Sequence, residues 1–176
     1  MRASASSQSG FTLIELIVAM VALATVLAAL ATLVYPTMKR NPEAVIQIRA
    51  VELGQAYLDE ILTKRYDEIS QQGGVRPCST ANPGLPNCSA VLGPEEGSRA
   101  SYDDVDDYNG LSEWPPRDVL DNPRSAYNNY RVQVAVTYAG TDLPGTGGAE
   151  DAKRITVTVS SPLGDDFVFA AYRFNF

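Results

Sequence analysis

Histidine is absent from the 176 residues. With it go the commonest general base, the commonest metal ligand and the usual triad partner of serine or cysteine. Most hydrolase and metalloenzyme chemistries are thereby excluded, and no enzyme is expected. Cysteine is scarce, with Cys78 and Cys88 the only two. Without histidine or further thiols, a closed transition-metal site lacks ligands. Positive charge is in deficit: 14 Lys and Arg stand against 21 Asp and Glu, a net charge of −7. A chain this acidic has no general electrostatic affinity for nucleic acid, so no nucleic-acid partner is expected. Charge of either sign is missing between Leu16 and Met38, and most of it lies beyond Ala90. The length suits one domain plus an appendage.

What is present begins with a polar stretch of small residues, Met1 to Gly10, in which Arg2 is the only charge. Phe11-Thr12-Leu13-Ile14-Glu15 follows, and then the uncharged run through Ala, Leu and Val to Tyr35. A membrane-spanning helix needs about 20 apolar residues, and residues 11–35 are long enough. A cleaved secretory signal is the alternative, with Ala28-Ala29-Leu30-Ala31 as a loose cleavage site. The length of the run and the carboxylate near its start count against it. Glu15 is the unusual residue, because a carboxylate in an apolar segment is costly near the bilayer centre. It either complements the dipole of the helix N-terminus or pairs with a cation from a neighbouring helix.

Gly10-Phe11-Thr12-Leu13-Ile14-Glu15 ahead of about twenty apolar residues resembles the signal of type IV prepilins and type II secretion pseudopilins. The resemblance implies that a prepilin peptidase cleaves after Gly10 and methylates the new N-terminus, Phe11. Residues 1–10 are then a leader, 11–35 a transmembrane and assembly helix, and 36–176 a periplasmic pilin-like domain. Glu15 falls at the family's glutamate position, which pairs with the terminal amine of a neighbouring subunit. The implied partners are the prepilin peptidase, the major and other minor pilins, and the inner-membrane assembly platform. The implied location is the inner membrane, single-pass with a periplasmic domain, and then the extracellular pilus. Charge counting does not carry the orientation: Arg2 lies before the helix, Lys39 and Arg40 beyond it, and the positive-inside rule favours the reverse or gives little guidance.

Pro36 and Pro42 predict a kink or a restart of the helix. From Glu43 to Tyr66 the helical period returns, and the helix is expected to run to about residue 68. Ile46, Ala50, Leu53, Tyr57 and Ile61 form one stripe, widened by Val51, Leu58 and Leu62. Arg49, Glu52, Asp59, Glu60 and Thr63 are placed on the opposite face. The stripe should bury against a sheet, with Gly54 allowing close approach of a strand.

Residues 71–129 read as an irregular region, opening on Gln71-Gln72-Gly73-Gly74 and rich in Pro, Gly, Ser and Asn up to Gly97. An exported domain meets an oxidising compartment, which favours a Cys78–Cys88 disulfide over a thiol pair or metal site. Asn87-Cys88-Ser89 also matches a glycosylation sequon and carries little weight. Asp103, Asp104, Asp106 and Asp107 invite calcium, but their spacing does not fit an EF-hand loop. The plainer expectation is a solvated acidic loop whose aspartates cap turns, with no cofactor.

Residues 130–176 read as a β-meander. Val132, Val134 and Val136 alternate with polar residues, as do Ile155, Val157 and Val159 in a strand placed at Arg154–Ser160. Phe167 to Phe174 reads as a third strand after the turn Pro162-Leu163-Gly164-Asp165. Gly140 to Gly148 reads as a flexible hairpin loop, lacking the lysine and helix of a phosphate-binding loop. The fold class is α+β: one long N-terminal helix on a small antiparallel sheet. The expected function is that of a minor pilin-like subunit. Within that family, the runs Arg49–Ala56, Tyr102–Gly110 and Ala171–Phe176 resemble the minor pilins of mannose-sensitive haemagglutinin (MSHA) pili, which implies a role in surface attachment. The alternatives are a type II secretion pseudopilin and a monomeric membrane-anchored binding module.

Overall fold

The computed structural model describes residues 12–70 and 77–176, with the backbone alone over 33–42. The chain divides into two compact units, Met1–Val45 and Ile46–Phe176. Helix α1 is assigned from Leu13 to Leu62, a span of 50 residues. The assignment passes through Pro36 and Pro42 without the predicted interruption. Each proline deletes one rung of the helical ladder, and the neighbouring rungs remain.

α1 also stops earlier than the expected residue 68. After Leu62 the backbone is drawn sideways: Arg65 N–H donates to Asp103 O at 3.2 Å, and Val105 N–H donates to Arg65 O at 3.0 Å. Arg65 and Asp104 thus form an isolated parallel bridge, which replaces the next helical turn.

In the second unit, β1 (Ser112–Glu113), β2 (Arg131–Tyr138), β3 (Ala152–Ser160) and β4 (Asp166–Phe174) form a four-stranded sheet in chain order. All neighbours are antiparallel, with Val132 opposite Val159, Val134 opposite Val157, and Val157 opposite Phe169. The β-branched alternation aims Val132, Val134, Val136, Ile155, Val157 and Val159 at one face. That face buries Ala50, Leu53, Tyr57 and Ile61 of α1, all fully inaccessible. Each such aliphatic side chain contributes roughly 1.5–3 kcal/mol by leaving water. The architecture is α+β and pilin-like.

The stripe is narrower than predicted, because Val51 is exposed. Gly54 lies against the Phe169 ring, and a Cβ there would collide with it. The loop between β2 and β3 is folded into local turns. Two 3-10 turns, Gly140–Asp142 and Ala149–Asp151, occupy it. Thr146 Oγ1 donates to Leu143 O at 2.8 Å and also to Gly140 O, and Gly148 N–H donates to Asp151 Oδ2 at 2.8 Å. A side chain at Gly140 would strike the Gly148 carbonyl, so the two ends of the loop close on that glycine.

Candidate functional site

From Leu13 to Thr32, α1 has a mean hydropathy of 2.6 over 20 residues, and none of that window is buried among the described residues. The span is long and apolar enough to cross a membrane. Glu15 sits in its first turn, exposed, with its N–H donating to Thr12 O at 3.1 Å. Gly10 and Phe11 lie outside the described residues.

The second unit contains two buried centres built on one cation each. At the first, Arg99 Nε donates to Glu113 Oε1 at 2.6 Å, while Nη1 and Nη2 donate to Glu60 at 2.7 and 3.2 Å. Tyr108 OH donates to Glu60 Oε1 at 2.7 Å, and Tyr57 OH donates to Glu113. The guanidinium lies over both rings, 5.4 Å from Tyr57 and 5.5 Å from Tyr108. Burial opposes the charge on Arg99, but the bonds to Glu60 and the field of Glu113 outweigh it and hold its pKa above the ordinary value. Burial, and then the bond to Glu113, push the Tyr57 phenol up. Glu60, placed by periodicity on the solvated face, is drawn inward because a bidentate guanidinium satisfies both its oxygens.

At the second centre, Lys153 Nζ is fully buried and donates to Tyr66 O at 2.6 Å, Asp106 Oδ1 at 2.5 Å and Asp67 Oδ2 at 3.2 Å. It lies 4.4 Å from the centroid of the Tyr66 ring. Asp67 also accepts from Ser89 N–H at 3.0 Å, beside Cys88. Sequence reasoning missed Lys153 by starting its strand at Arg154. Carrying the alternation of Ile155, Val157 and Val159 back two residues puts Lys153 on the same inner face.

Cys78 and Cys88 are bonded, with Cα atoms 4.9 Å apart. They pack with Tyr66 and Tyr138 in a small second core. The Asn175 amide donates to Cys78 O at 2.8 Å and to Glu150 O at 2.9 Å, and Asn175 Oδ1 accepts from Cys78 N–H at 3.2 Å.

The acidic loop is not the solvated one expected. Asp104 and Asp106 are fully buried, and Asp107 is 1% exposed. Asp103 alone is exposed, paired with Arg65. Two aspartates do cap the turn. Asp107 Oδ2 accepts from Asp103 N–H at 2.9 Å and Asp104 N–H at 3.1 Å, and Asp104 Oδ1 accepts from Asp106 N–H at 2.8 Å. The four do not converge as one ligand set: Asp103 and Asp104 gather with Glu68, and Asp107 gathers with Glu95 and Glu96. Burial, and then the neighbouring Asp106, push the Asp104 carboxyl up to about 9. The neighbouring Asp107 carboxylate, and then burial, push the Glu96 carboxyl up to about 7.

A family model of the prokaryotic N-terminal methylation motif matches residues 5–31. The match covers Gly10, Phe11, Glu15 and nearly all of the exposed apolar segment, and it marks the chain as pilin- or pseudopilin-like at its N-terminus. No curated protein and no solved structure gives a significant match.

Proposed function

We propose that this chain is a minor pilin-like subunit of a type IV pilus of the MSHA type, with a structural role that supports surface attachment and no catalytic one. One observation carries the reading. The methylation motif at residues 5–31 coincides with a 20-residue apolar helical segment that has no covering among the described residues and one carboxylate in its first turn. Such a surface needs lipid or like helices around it.

Prepilin peptidase cleaves between Gly10 and Phe11 and methylates Phe11, leaving the anchor on the mature chain. The anchor holds the protein in the inner membrane with its soluble unit in the periplasm. The assembly platform then passes it to the filament among major and other minor pilins. There Glu15 accepts the terminal amine of a neighbour, each neutralising the other in an apolar bundle. The MSHA assignment is supported by the likeness of Arg49–Ala56, Tyr102–Gly110 and Ala171–Phe176 to the minor pilin called MshD. Type II secretion pseudopilins share the methylation motif, and recovery of the chain in sheared pili separates the two readings.

Intact mass of protein from native membranes tests the processing. The expected species begins at N-methylated Phe11 and retains 166 residues, ten fewer than the 176 encoded. A mature chain beginning after Ala31 means an ordinary signal peptide and sinks the pilin reading.

A further inference from the structure

We infer that Glu95, Glu96 and Asp107 form a binding site for one calcium ion, a site that does not depend on the filament role of the chain. Each residue offers one carboxylate oxygen, and the three oxygens lie within 4.8 Å of one another. Asp107 is the built element of the cluster. It is 1% exposed, and its Oδ2 is held by the Asp103 and Asp104 N–H groups. Its Oδ1 is buried without a hydrogen-bond donor, and so is Glu96 Oε2. Buried carboxylate oxygens without a donor are costly, and these two face a third carboxylate, that of the exposed Glu95, so that like charges crowd one another.

Among the described residues, no Lys or Arg pairs with any of the three. The nearby cations are already engaged: Arg65 with Asp103 and Glu68, and Lys153 with Asp106 and Asp67. A divalent cation supplies the missing charge. The donors are all hard oxygens, and both cysteines are tied up in the disulfide, so the set selects an alkaline-earth ion over zinc or copper. Calcium accepts six to eight oxygens in irregular geometry and completes its shell with water, whereas magnesium demands a near-regular octahedron. The ion would staple the Glu95-Glu96 segment to the 3-10 turn Asp106–Tyr108. Arg99 and Tyr108 leave those same two segments for the Glu60 centre, so the staple preorganises that centre.

The test uses the full chain in detergent, stripped with EDTA. Equilibrium dialysis against calcium chloride should find one ion per chain, with a dissociation constant on the order of 10⁻⁴–10⁻³ M, as in extracellular modules. The thermal midpoint in 10 mM calcium chloride should rise by roughly 5–10 °C over EDTA, and by clearly less in magnesium chloride. The double variant Glu95→Gln/Glu96→Gln spares Asp107 and its turn. It should lose both the ion and the rise, and melt above the wild type in EDTA because the repulsion is gone. Wild-type protein that retains no calcium overturns the inference, and a more stable double variant in EDTA would then identify the cluster as carboxyls sharing protons. A double variant that keeps the ion also overturns it, since binding would then be diffuse attraction to an acidic surface.

Discussion

The apolar segment Leu13–Thr32 and the unit Ile46–Phe176 are arranged in opposite senses. In the first, aliphatic side chains are outside and one carboxylate stands among them. In the second, aliphatic side chains are inside, and two cations with two carboxylates each are buried beside them. The second unit meets both of these cations with carboxylates of its own chain. The first has neither a cover for its apolar surface nor a cation for Glu15 among the described residues. A unit that pairs its own buried cations is thus joined to a segment without such a cover among the described residues.

The largest expected effect tests that incompleteness. Glu15→Ala should leave the chain inserted, cleaved and folded, because it removes a costly carboxylate and lies outside the sequence of the second unit. It should leave a neighbour's amine buried alone, a cost of roughly 3–5 kcal/mol. That corresponds to a loss of about two to four orders of magnitude in association. If the carboxylate serves only the helix dipole, the loss is about 0.3–1 kcal/mol, a few-fold effect. The ratio of variant in sheared filaments to variant in the inner membrane distinguishes the two. A wild-type ratio would favour the monomeric membrane-anchored module.

The next effect tests the pairing of a buried cation in the second unit. Lys153→Ala strands Asp67 and Asp106, both fully buried, and should cost roughly 3–5 kcal/mol. Arg154→Ala, one residue along, removes only a half-exposed pair with Asp142 and should cost at most about 1 kcal/mol. Thermal denaturation of the two variants should therefore separate their midpoints by about 5–15 °C. Equal midpoints would mean that the Lys153 centre contributes nothing.

Helix stripe and strands were legible because they repeat at fixed periods: Leu53, Tyr57 and Ile61 at helical spacing, and Val132, Val134 and Val136 at every second residue. β1 was not, since Ser112–Glu113 is too short to alternate and exists only by pairing with Gln133 and Val132. The charged centres were invisible for a related reason. Glu60 and Arg99 are 39 residues apart, Asp106 and Lys153 are 47 apart, and no local pattern ties them together. Composition made the acidic loop conspicuous but wrongly solvated it, because its donors are backbone N–H groups and a distant lysine. Glu95 and Glu96 carried no signal until the fold set Asp107 beside them. The N-terminal motif needed no fold at all, as its meaning lies in a contiguous run.

The smallest effect is a pH slope in the second unit. Glu96 and Asp104 are raised to about 7 and about 9, above the ordinary carboxylate range. Between the ordinary and the raised values the folded chain holds more protons than the unfolded chain. Stability therefore falls as pH rises through the folded values and recovers as pH drops toward the ordinary range. In EDTA the midpoint should climb by about 2–5 °C between pH 8 and pH 5.5. Saturating calcium should flatten the part of the slope due to Glu96. A midpoint that falls on acidification would show that these carboxyls are not held protonated in the folded chain.

The clasp of Asn175 on the Cys78 backbone has a consequence in time. The two residues are 97 positions apart. At a synthesis rate of roughly 5–20 residues per second, about 5–20 seconds pass between the appearance of Cys78 and that of Asn175. Cys88 emerges within about two seconds of Cys78 at that pace. The parts of the ring are thus complete while the residue that will clasp it is still unmade, so the ring can close as a small, open loop that the last residues to arrive shut in.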